Sequence, residues 1–217
     1  MAAEWLRTNT SAVVGELIRI LPDALVIMPG FFSILTVSYP QFVLFMSLIE
    51  SVGLYYLLSN LVFTDFSKVA FSDKCKTGFR SATFSSLSLF KGDTSAFPSA
   101  PLYMTSVAAA YLFNSLSSQM KELESLGPQY ALRFYLSIIA LCLVLFFIGS
   151  YRISNGCESM LLSIASIALG LVVGSLLIIQ NNSLFGPNST NLSGIPLLRN
   201  KTATGEQIYI CTQGSPK

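Results

Sequence analysis

Any chemistry this 217-residue chain performs must proceed without histidine, because it contains none. That excludes histidine-based nucleophiles, Ser-His-Asp triads, histidine metal sites and histidine proton shuttles. The reactive types that remain are few. Arg152 is followed six positions later by Glu158, with Gly156 between them. Ser99 lies in the run Phe97-Pro98-Ser99, and Lys74, Lys76 and Arg80 cluster upstream. Cations of this kind can clamp an anion, and a carboxylate close by in the chain can occupy them instead. Arg152 and Glu158 are therefore expected to pair with each other or with loop residues at the membrane interface. Cys75, Cys142, Cys157 and Cys211 form no Cys-x-x-Cys spacing, so neither a zinc knuckle nor a thioredoxin-like pair is supported. Cys142 sits in an apolar run and is expected to act as a small core hydrophobe. No Gly-rich phosphate cradle, paired carboxylate site or EF-hand loop occurs, so no metal or cofactor is expected.

The elements that must position these residues are membrane spans. The chain is 52% apolar and only 11% charged, with a mean hydropathy of +0.61, whereas soluble domains run nearer about 25% charged. A net charge of +2 is too balanced for a nucleic-acid-binding surface. Five stretches approach the ~20 apolar residues a span requires: Asp23–Tyr39, Gln41–Phe63, Pro101–Leu116 (the weakest), Ala131–Ser150 and Met160–Ile179. The expected fold is an all-α polytopic membrane bundle of about five spans. It divides into an N-terminal amphipathic segment (1–22), a bundle (23–180) with a basic loop (64–99), and an extended polar tail (181–217). The stretch Val13–Leu21 before Pro22 either lies on the membrane surface or lengthens the first span. Glu4, Arg7, Glu16 and Arg19 interrupt the apolar stretches of the N-terminus, so it does not read as a cleavable signal.

Charge then orients the bundle. Arg7, Arg19, Lys68, Lys74, Lys76, Arg80, Lys91 and Arg152 fall on one side, which the positive-inside bias assigns to the cytoplasm. Acceptor tripeptides at Asn181, Asn188, Asn191 and Asn200 fall on the other, luminal side, with Asn181 too close to the bilayer for modification. Glu50, in the middle of the second span, has no second acid and no intramembrane base. It is expected to be hydrogen-bonded against Ser, Thr or Tyr of a neighbouring span rather than to serve a transport relay. Gly170 and Gly174 form a small-xxx-small motif, expected to pack helices within the chain.

The order of the Lys74–Arg80, Phe97-Pro98-Ser99 and Arg152–Glu158 segments at one membrane face resembles the type 2 phosphatidic acid phosphatase family. In that family a Lys-x6-Arg-Pro, a Pro-Ser-Gly-His and a Ser-Arg-x5-His-x3-Asp segment converge. One histidine attacks the phosphate, the other protonates the leaving group, and Lys and Arg hold the phosphoryl oxygens. Here Ser99 and Arg152 match the family Ser and Arg. Ala100 and Pro101 stand in place of Gly and His, and Tyr151 replaces the Ser before Arg152. Glu158 sits where the nucleophilic histidine would be, and Leu162 where the orienting Asp would be. Near Arg80 the spacing is off by one, with Asp73 at the Lys position and Ser81 for Pro. The resemblance covers about Phe63–Gly174 and implies a vestigial site at Arg80, Ser99, Arg152 and Glu158 without catalysis.

Beyond Ile179 the composition turns polar. The words Gly194-Ile195-Pro196-Leu197-Leu198 and Ile208-Tyr209-Ile210-Cys211 resemble tails of inner-membrane proteins of large icosahedral DNA viruses, and alternation over Gln207–Cys211 permits a short strand. That resemblance implies a minor capsid component that anchors an inner, host-derived membrane to the capsid shell. Its partners would be the lipid bilayer and capsid or other membrane structural proteins. The alternative is a catalytically dead lipid-phosphatase-like protein that binds an anionic head group.

Overall fold

Serines and prolines set the helix boundaries. Ser38, Ser99 and Ser159 precede three helices, and Pro40 and Pro101 occupy the first turns of two of them, where a missing N–H costs nothing. In the computed structural model, residues 2–64, 75–78, 88–90, 97–120 and 128–192 are described. They form five long helices: α1 (Ala2–Thr36), α2 (Tyr39–Leu57, continued by a π-helical turn Leu58–Val62), α3 (Ala100–Ser118), α4 (Pro128–Ser154) and α5 (Met160–Phe185). A 3-10 turn, Pro187–Thr190, follows α5. The all-helical bundle expected from composition is what forms, and no strand occurs among the described residues. Arg80, Asn200 and the tail beyond Leu192, with its expected strand, lie outside those residues, while the start of the tail, expected to be extended from 181, instead completes α5 to Phe185.

The structure chooses between the two readings of the N-terminal segment and changes the count of spans. First, α1 runs unbroken through Pro22 and Pro29, so the segment before Pro22 extends the first apolar helix. Proline removes a ladder donor, and helices in a bundle tolerate this when a neighbour satisfies the freed group. Pro22 leaves the Ile18 carbonyl without its ladder donor, and the next carbonyl, that of Arg19, accepts the Gly78 amide at 3.1 Å and so ties the loop to α1. Second, four helices are long and apolar enough to cross a membrane: Val13–Thr36, Tyr39–Val62, Leu132–Ser154 and Met160–Phe185. The fifth, α3, falls short because it does not face lipid. Residues 100–111 are buried without a break, so their small and polar types meet protein on every side.

The core centres on α3. Val26 of α1, Leu44 and Leu48 of α2, Tyr103, Met104 and Val107 of α3, and Val173 and Leu177 of α5 form one cluster. Gly170 and Gly174 bring α5 onto the α3 backbone. A Cβ at Gly170 would lie 2.5 Å from the Tyr103 carbonyl oxygen and 2.7 Å from Ser106 Cβ, and one at Gly174 would lie 2.9 Å from Ala110 Cβ. The small-residue motif thus packs helices inside the chain, as expected. α4 lies outermost, with Leu136, Ile139, Leu143 and Phe146 exposed. Cys142 also faces outward there, which corrects its assignment to the core.

Because backbone cannot yield as a side chain does, Gly170→Ala and Gly174→Ala should each destabilise the bundle by about 1–3 kcal/mol. Unfolding titrations in mixed micelles would measure this, and unchanged midpoints would contradict the packing described.

Candidate functional site

Gly156 builds the tightest part of the site. Its φ of +69° is accessible to glycine at little cost, and it reverses the chain between α4 and α5 within a few residues. Arg152, in the last turn of α4, therefore faces Glu158, just before α5. The Arg152 Nε donates to Glu158 Oε1 in a very short ion pair. Ser99 Oγ donates to the same oxygen at 2.8 Å. Ser99 does not use its side chain to cap α3, and its amide donates to Ser166 Oγ at 2.9 Å. Arg152 Nη1 also reaches the Cys75 carbonyl at 3.4 Å. Arg152, Glu158 and Ser99 are all buried, and Glu158 Oε2 has no hydrogen-bond partner among the described residues.

A disulfide links Cys75 to Cys157, 82 residues apart, next to this ion pair. The sequence did not point to this pairing, since no short spacing signals it. Three segments expected at one membrane face thus converge: residues 75–78, the start of α3 and the α4–α5 turn. Of the four residues singled out as vestigial, the structure joins Ser99, Arg152 and Glu158. The fourth, Arg80, lies outside the described residues.

A second polar contact, missed by sequence reasoning, ties the loop to α1. Asp23, buried in α1, accepts Ser88 Oγ at 2.6 Å and the amides of Leu89 and Phe90 at 2.7 and 3.3 Å. Arg19 Nε donates to the Gly78 carbonyl at 2.7 Å, and Thr77 Oγ1 to that of Phe90 at 3.0 Å. Phe90 is thereby buried edge-on against Tyr55. An acid at the edge of an apolar run was the available signal, but it read as a span boundary.

At the opposite end, buried Asn181 donates to Ser47 Oγ at 2.6 Å and Tyr111 Oη at 2.9 Å. Asn188 is exposed and Asn191 half-buried. The hydroxyl of Thr190, within the Asn188 tripeptide, is bonded to Asn182 Oδ1 at 2.8 Å and the residue is buried. Modification of Asn188 would require this cap to open. Glu50 departs from expectation: its carboxylate is exposed, and it accepts from Gln180 Nε2 at 3.1 and 3.2 Å rather than from a Ser, Thr or Tyr. A groove of about 490 Å³ between α1 and α4 is lined by Leu17, Ile18, Leu143 and Phe147 among others. It holds no group that could do chemistry.

These features define a helical bundle compatible with an integral, multi-pass membrane protein, built around a buried ion pair. Comparisons with protein-family models, curated proteins and solved structures each find no match.

Removing one partner of a buried ion pair strands the other, so Arg152→Ala should cost about 3–5 kcal/mol, while Arg152→Met with Glu158→Leu should recover most of that. Unfolding in detergent reads both, and equal losses in the two variants would contradict the pairing. In denaturant without a reductant, a maleimide should add to Cys142 and Cys211 only, and prior reduction should expose Cys75 and Cys157 as two further sites, as intact-protein mass would show. Replacing both bridged cysteines with serine should cost about 2–5 kcal/mol.

Proposed function

We propose that this chain is a non-catalytic structural membrane protein, a minor capsid component that anchors an inner membrane to a surrounding shell. The observation that carries this reading is the state of Arg152. The cation that would clamp a phosphoryl group is already occupied by the chain's own Glu158, in a buried cluster fastened by a disulfide. Such a cluster rigidifies one end of the bundle, and its Ser99 hydroxyl is fully buried against Glu158 and out of reach of a substrate. It suits a scaffold.

The disulfide also bears on the location. It lies on the face that carries Lys76 and Arg152, which the charge bias assigns to the cytoplasm. Disulfides are rare in the cytosol but persist at virion surfaces. The bridge therefore weighs against a cytosolic setting for this face in the mature protein, and fits the proposal only where the chain ends in the oxidising environment of a released particle.

The convergence of Ser99, Arg152 and the Cys75 segment favours the phosphatase-like ancestry, and with it the second reading of a lipid-binding pseudoenzyme. Glu158 weighs against that reading, because an anionic head group would have to displace a carboxylate held at close range.

Crosslinking mass spectrometry on native membranes or particles separates the two. Linkages from Lys68, Lys74, Lys76 or Lys91 to a shell protein are the expected result. Linkages confined to the chain, together with co-purifying phosphatidic acid whose retention falls in Arg152→Ala, would overturn the scaffold in favour of the pseudoenzyme.

A further inference from the structure

Glu50 sits midway along the 24-residue apolar helix Tyr39–Val62, yet its carboxylate points out of the bundle. A carboxylate can accept about four hydrogen bonds. Here both oxygens share one amide nitrogen, that of Gln180. The residue next to Gln180 on α5, Asn181, turns inward instead and bonds Ser47 and Tyr111 inside the bundle. The outer surface of α4, by contrast, is apolar along Ile139, Leu143 and Phe146, and the exposed Ser137 hydroxyl before them is satisfied by the Arg133 carbonyl at 2.8 Å. Around Glu50 lipid chains do not suffice, because an acidic side chain at the centre of a span is among the costliest residues to expose to hydrocarbon.

We propose that the α2–α5 face around Glu50 and Gln180 is the docking surface for a transmembrane helix of another protein, one that presents a lysine or arginine at matching depth. Shape and charge agree on this occupant. Between α2 and α5 lies a groove of about 400 Å³, with Phe42, Met46, Leu184 and Phe185 on its walls and Glu50 and Gln180 among its lining. That arrangement gives apolar walls for a helix ridge and an acceptor for its cation. A second copy of this chain fits less well, because two-fold pairing through this face would bring a second Glu50 and set acceptor against acceptor. A cation is the complement the face lacks. The inference holds whichever assembly the chain belongs to, since it rests on Glu50 and not on the Arg152 cluster.

The test uses the full-length protein carrying Cys142→Ser, Cys211→Ser and Asn188→Cys, labelled at that exposed position and reconstituted in phosphatidylcholine vesicles. The probes are tryptophan-flanked polyleucine helices with Lys, Leu or Glu at the centre, each carrying an energy-transfer acceptor. The Lys helix should associate about ten-fold more strongly than the Leu helix, and the Glu helix no better than Leu. Glu50→Gln keeps a hydrogen-bonding partner for Gln180 and should reduce the Lys helix to the level of Leu. Met46→Trp, which fills the groove, should weaken it with the carboxylate intact. The proposal is overturned if the Lys helix shows no advantage or if the advantage survives in Glu50→Gln. Energy transfer between protein copies that excludes the Lys helix would instead identify a second copy as the occupant.

Discussion

Close approach of two helix backbones governs the rest of this bundle. Helices surrounded by lipid gain little from the hydrophobic effect when they meet, so contact distance and hydrogen bonds must hold them. Gly170 and Gly174 let α5 rest on the carbonyls of Tyr103 and Val107, and this fixes the register along the whole of α5. One turn before Gly170, Ser166 meets the Ser99 amide, and toward the other end Asn181 reaches Ser47 and Tyr111. A bulkier stripe on α5 would shift both polar contacts out of reach together.

The charged cluster at the start of α3 works differently. A buried ion pair is a weak source of net stability, since desolvation consumes much of the attraction. Its effect is better described as selection of one arrangement. Glu158 Oε1 takes both the Arg152 and the Ser99 donors, so any slip of α4, α5 or the α3 start leaves a buried group unmet. The bridge between Cys75 and Cys157 adds the loop to the same point. Four pieces of chain, α4, α5, the α3 start and the loop, are thus held by one carboxylate and one covalent bond.

What the sequence could reveal follows from which signals are local. The strongly apolar runs, the Gly170–Gly174 packing and the pairing of Arg152 with Glu158 all depend on residues close in the chain, and each is found in the structure. The rest depends on residues far apart. Asp23 meets Ser88 and Leu89 across about a third of the chain, and Cys75 meets Cys157 across 82 positions. Neither leaves a spacing pattern. α3 misled in another way: a helix wrapped by protein needs no lipid-facing apolar surface, so its modest hydropathy concealed its central place. Cys142 was the converse, an apolar setting that proved to be the outer face.

The clasp between Asp23 and the loop also bears on the order in which the chain is assembled. During synthesis α1 is complete long before residues 88–90 exist, so its carboxylate first meets the membrane without the donors that later surround it. Once that segment is made, α1, α2 and the loop can close on one another as an early unit. The Arg152 cluster, the disulfide and the glycine contact all await α5. Biogenesis would therefore proceed as an N-terminal half that fastens itself first and a C-terminal half that locks onto it. Translation arrested between the two would leave an intermediate with its loop already seated.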